Sequence, residues 1–118
     1  MAQRFNTGID MSIRIAAAVA FLMGIIVAVQ AASTISVGQH GLVFTQTSAS
    51  LAKGDRIIFT NEDDVLHNIH VFGPGNDDST DLGLQKPGAT LTYKFDKAGA
   101  YMVRCSIHSS VKMSVTVK

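Results

Sequence analysis

The chain has 118 residues, a formal net charge of +1 and 47% hydrophobic residues. Ten basic against nine acidic residues give no basic field of the kind that nucleic-acid binding requires. A single cysteine excludes an internal disulfide framework.

Arg4 and Arg14 precede fifteen uncharged, mostly apolar residues, Ile15 to Val29, followed by Gln30-Ala31-Ala32-Ser33. Basic, apolar and small-residue regions in that order predict a secretory signal peptide over residues 1–31, cleaved after Ala31. A spanning helix needs about 20 apolar residues, so membrane attachment is expected only if the leader stays uncleaved. Met11-Ser12-Ile13-Arg14 offers a second possible start that leaves the same mature protein. Export to the periplasm as a monomer is the expectation.

The remaining segment, 32–118, is long enough for one small domain with a modest core. Without Arg4, Arg14 and Asp10 it carries eight basic and eight acidic residues. Strand-forming runs follow one another: Thr34 to Val37, the region of Leu42-Val43-Phe44, Arg56 to Thr60, His67 to Phe72, Thr90 to Phe95, Gly99 to Cys105 and Val111 to Val117. Turn chemistry separates them at Ala52-Lys53-Gly54-Asp55, Asn61-Glu62-Asp63-Asp64, Gly73-Pro74-Gly75-Asn76, Lys86-Pro87-Gly88 and Lys97-Ala98-Gly99. The acidic run Asp77-Asp78-Ser79-Thr80-Asp81 reads as a solvated turn, and His40, beside Gly41, as loop. No segment after the leader sustains a helical period. Short strands with close turns predict an all-β sandwich or barrel.

Cys105, His108, His67 and Met113 supply one thiolate, two imidazoles and one thioether. That is the ligand set of a mononuclear electron-transfer copper site, in which soft sulfur favours Cu(I) and imidazole accepts both oxidation states. A lone cysteine is more often a small buried hydrophobe, but an unpaired one in an exported protein invites another explanation. A structural zinc site would usually bring more cysteines. A thiol nucleophile would need an adjacent base and an orienting third group, and no acyl-transfer motif is present. Strand parity supports the metal reading: Tyr101, Val103 and Cys105 share one face, and His67, Ile69 and Val71 share another. His70 then points away from the site and reads as an ordinary surface residue. One thiolate also argues against a dinuclear copper centre bridged by two.

The ordered set Gly54-Asp55-Arg56-Ile57-Ile58-Phe59-Thr60-Asn61-Glu62-Asp63, His67-Asn68, Gly99-Ala100-Tyr101 and Cys105-Ser106-Ile107-His108 resembles the cupredoxin family, in particular its small plastocyanin, amicyanin and pseudoazurin group. The resemblance implies a Greek-key β-sandwich of about seven to eight strands. It implies one copper ion with His67, Cys105 and His108 as the strong equatorial ligands, and Asn68 as the residue tying the His67 strand to the loop near Cys105. For the weak axial ligand, Met113 stands five residues after His108, as in plastocyanin and pseudoazurin. The shorter amicyanin-like loop would instead place Val111 in that slot. Met113 is the expected ligand because a thioether is the usual axial donor. Arg104 departs from the plastocyanin pattern, which has an aromatic residue before its cysteine.

The function implied is one-electron transport between a redox donor and acceptor, such as a dehydrogenase, a cytochrome or an oxidase, with no enzymatic activity. A copper delivery or storage protein and a metal-free cupredoxin-fold interaction module are the alternatives. Only Met102 and Met113 remain in the mature chain, which weighs against storage.

Overall fold

The computed structural model describes residues 23–28 and 30–118, so the expected leader lies largely outside the described residues. The folded unit is Ala31–Lys118. It contains nine strands: β1 Thr34–His40, β2 Val43–Phe44, β3 Ser48–Leu51, β4 Asp55–Asn61, β5 His67–Phe72, β6 Ser79–Gln85, β7 Thr90–Phe95, β8 Gly99–Arg104 and β9 Lys112–Val117. They form a four-stranded sheet, β2-β1-β4-β7, and a five-stranded sheet, β3-β9-β8-β5-β6. No helix among the described residues is long and apolar enough to cross a membrane.

The alternation seen in the sequence becomes the two faces of each sheet. In β4, Ile57 and Phe59 are fully buried while Arg56 is exposed. In β9, Met113, Val115 and Val117 point inward and Lys112, Ser114 and Thr116 outward. With Val37, Ile69, Val71, Phe95 and Val103 these side chains fill the space between the sheets. Burying a Phe59 or an Ile57 is worth about 1.5–3 kcal/mol each.

Three details differ from the expectation. The count is nine strands because Ser48–Leu51 and Ser79–Gln85 also pair. Both are polar edge strands, whose apolar alternation is too weak to stand out. Ser79, Thr80 and Asp81 therefore belong to β6 and not to a turn. His40 closes β1, paired with Val43 across the turn at Gly41-Leu42.

This topology decides where chemistry can happen. β5 and β8 are antiparallel neighbours in the five-stranded sheet, with His70 opposite Arg104. The first residue of β5, His67, therefore meets the chain just beyond β8, at Cys105. The β8–β9 hairpin then returns through His108, so the predicted ligands gather at one end of the sandwich.

Candidate metal centre

His67, Cys105 and His108 bring one donor atom each to within 4.8 Å of one another. The two histidine Nδ1 atoms are 3.2 Å apart, and Cys105 Sγ lies 3.8 Å from His108 Nδ1. His67 is fully buried and Cys105 is 1% exposed, whereas His108 is only half-buried. The imidazole of His108 is thus the one donor group of the three with an outlet towards solvent.

The orientation of His67 is set from behind. Its Nε2 contacts the Asp63 carboxylate at 2.8 Å. That carboxylate also accepts the backbone N–H groups of Gly41 at 2.7 Å and Leu42 at 3.1 Å. Burial pushes the Asp63 carboxyl up, but the hydrogen bonds from His67, Gly41 and Leu42 outweigh it and hold the group below its ordinary value. A carboxylate at Nε2 puts the ring proton there and leaves the Nδ1 lone pair facing Cys105 and His108. This is the tautomer a metal needs.

Asn61 shapes the loop that carries Asp63. Its side-chain amide donates to the carbonyls of Val65 and Gln85, at 2.8 and 3.0 Å, and its oxygen accepts the Asp63 N–H at 3.0 Å. The Gly41-Leu42 turn reaches the other half of the site as well: Ser110 Oγ donates to the Leu42 carbonyl at 2.6 Å. Leu42 adopts φ 60°, an uncommon left-handed conformation for a residue with a branched side chain. One turn thus holds both the Asp63–His67 arm and the Cys105–Val111 loop.

Asn68 supplies the second tie. Its side-chain oxygen accepts the Ser106 N–H, and its own N–H points at Cys105 Sγ from 3.4 Å. An N–H directed at sulfur stabilises the thiolate that a metal requires.

In the β8–β9 hairpin, Val103 stands opposite Met113 and Arg104 opposite Lys112. The Cys105 N–H donates to the Val111 carbonyl at 2.9 Å, and the Val111 N–H to the His108 carbonyl at 3.1 Å. Val111 thus faces Cys105, while Met113 lies one inward position further along the strand. Both are buried.

On the outer face the Arg104 guanidinium sits 4.6 Å from the centre of the Phe72 ring, and His70 stacks on that ring at 4.1 Å. His70 faces away from the donor cluster, with its Nδ1 3.5 Å from Ser106 Oγ. A cation–aromatic stack occupies the place beside Cys105.

The model of the copper-binding protein family that includes plastocyanin and azurin matches residues 31–118. The chain belongs to this family. Among curated relatives of this cupredoxin, plastocyanin of Vicia faba is 32% identical over 83 residues, covering 62% of this chain and 83% of the relative. The chloroplastic plastocyanin of Pisum sativum is also 32% identical over 83 residues, covering 49% of that longer chain. Among solved structures, a Cu(I) form of an amicyanin variant superposes with a TM-score of 0.65 at 21% identity, covering 77% of this chain and 86% of the other. A copper-containing nitrite reductase from Thermus scotoductus matches over only 25% of its own length, with a TM-score of 0.64 and 25% identity.

The cofactor of this cupredoxin is copper, and the donor set fits it. Two imidazole nitrogens and one thiol sulfur converge, two of the three donor residues buried, with the proton of His67 already directed away. Copper bound there supplies a one-electron couple between Cu(II) and Cu(I). Asp63, Asn68 and the Gly41-Leu42 turn hold the donors in place through hydrogen bonds that need no metal to form. The sequence singled out His67, Asn68, Cys105 and His108, but not Asp63, Leu42 or Ser110. Asp63, four residues before His67, was readable only as part of a turn.

Proposed function

We propose that this cupredoxin is a periplasmic one-electron carrier of the type 1 copper kind, exported by the leader at residues 1–31 as a domain beginning at Ala32. The observation that carries this reading is the convergence of His67, Cys105 and His108 with two of the three donors buried. Burial of two of the three donors restricts access to the metal, and a scaffold that pre-positions its donors changes little between oxidation states. Both properties favour electron transfer over catalysis. The half-buried His108 edge is the exit for the electron. Around the site Leu42, Val65, Leu66 and Ile107 are exposed apolar side chains, 39–48% accessible. Such a rim suits brief docking of a redox protein, whether dehydrogenase, cytochrome or oxidase.

The test is a visible absorption spectrum of the protein with one equivalent of Cu(II), beside Cys105→Ser. An intense thiolate-to-copper charge-transfer band that disappears in the variant is expected. Weak ligand-field absorption alone would overturn the reading and leave copper delivery as the function.

A further inference from the structure

We propose that the axial position of the copper site is closed by the Val111 side chain, so that copper has three strong ligands and no thioether, and that Met113 serves the core. The proposal rests on the reading of His67, Cys105 and His108 as a type 1 site.

Three observations carry it. The first is register. The hairpin pairs Val103 with Met113 and Arg104 with Lys112, and the bond from Cys105 N–H to the Val111 carbonyl continues that ladder by one residue. Directly opposed residues send their side chains to the same face, with Cβ atoms about 4.5–5.5 Å apart. The Val111 side chain, just before β9, is therefore the neighbour of the Cys105 sulfur across the hairpin. Met113, two residues on, starts about 7 Å further along the strand.

The second is that β9 cannot slide. Its other edge pairs with β3, with Ser114 opposite Ser48 and Val117 opposite Leu51. Bringing Met113 to the place of Val111 would shift both ladders by two residues and drive Val115 and Val117 out of their layers. The tight turn from His108 to Val111, closed by the 3.1 Å bond, leaves no spare length.

The third is burial. Met113 is 1% exposed among core residues opposite Val103, which accounts for an apolar residue there without any metal. Val111 is fully buried beside the thiol, and a β-branched aliphatic side chain offers copper no lone pair.

Copper without axial donation loses a contact that favours Cu(II) over Cu(I), so the couple Cu(II) + e⁻ → Cu(I) shifts towards reduction. This carrier would accept electrons readily and surrender them only to a strongly oxidising partner.

The experiment uses the full chain loaded with Cu(II), with absorption, electron paramagnetic resonance and reduction potential as readouts. Met113→Leu conserves volume and should fold normally. Its spectra and potential are expected to match the wild type. Val111→Met is expected to lower the potential and shift the charge-transfer band by adding a donor. A Met113→Leu protein with altered spectra and potential overturns the assignment, whatever the second variant does. If Val111→Met does not fold, the Met113→Leu result alone decides. A wild-type protein with no charge-transfer band overturns the type 1 reading itself, which separates that failure from this one.

Discussion

Asp63 contacts Nε2 of the buried His67 at 2.8 Å, and this one pair decides which nitrogen of the ring is free to bind metal. The carboxylate is in turn anchored by the N–H groups of Gly41 and Leu42. The tautomer is thereby written into the backbone of a turn that is distant in sequence and adjacent in space.

Replacing Asp63 by Asn keeps the shape and removes the charge. A neutral partner makes His67 a weaker donor to the metal, so copper affinity should fall by about 10–100-fold and the reduction potential should rise. Competition with a chelator and a redox titration measure the two effects. Unchanged values in both would mean that Asp63 only shapes the loop.

Asn68→Ala removes the acceptor of the Ser106 N–H and leaves the ligand loop without its tie to β5. The apo-protein should lose about 1–3 kcal/mol of stability, and copper should leave faster. Denaturant melts of the apo-protein and the rate of copper loss to a chelator test this. A full loss of stability with unchanged copper release would confine Asn68 to a structural role.

Leu42 pays for its left-handed backbone, a conformation that costs an L-residue roughly 1–2 kcal/mol. Leu42→Gly should therefore leave stability unchanged or raise it by up to about 1 kcal/mol, despite the greater freedom of the unfolded glycine chain. A drop of more than about 1 kcal/mol in the apo-protein melt would show that the side chain packs in a way that its exposure does not suggest.

Asp55 accepts the N–H groups of Ser33 and Ala52, both at 2.9 Å, and joins the start of β1 to the turn before β4. Those bonds hold its carboxyl below the ordinary value. A carboxyl lowered in the folded state stabilises above its unfolded value, about 3.9, and that contribution is lost as pH falls through the folded value. The apo-protein should weaken on acidification below about pH 4. Asp55→Asn should be less stable at neutral pH and flatter in that acid range. Parallel acid slopes for the two proteins would sink the idea.

Much of this molecule was legible in the chain because its signals are local. Alternation at Arg56–Thr60 and Gly99–Cys105 gave both strand and facing, and the buried row Tyr101, Val103, Cys105 follows from parity. His67 was found at the head of a strand, and His108 by its place three residues after Cys105. The edge strands β3 and β6 were not, because polar residues that pair on one side only carry little apolar pattern. Register was out of reach for a different reason. Positions 111 and 113 share a face, so only a defined hairpin turn can say which of them stands beside Cys105. The contacts of Asp63 with Gly41 and Leu42, and of Ser110 with Leu42, were hidden for a third reason: they cross the fold, and no spacing rule connects them.

The burial of Cys105 has a consequence for the life of the protein before it meets metal. A free thiol is open to disulfide exchange and to oxidation by peroxide wherever its surroundings are oxidising. At 1% accessibility, and covered by the loop that Asn68 and Leu42 hold shut, this sulfur cannot reach the thiol of a second chain without local opening. The empty protein is thus its own protecting group. It can wait, reduced and unpaired, for copper to arrive.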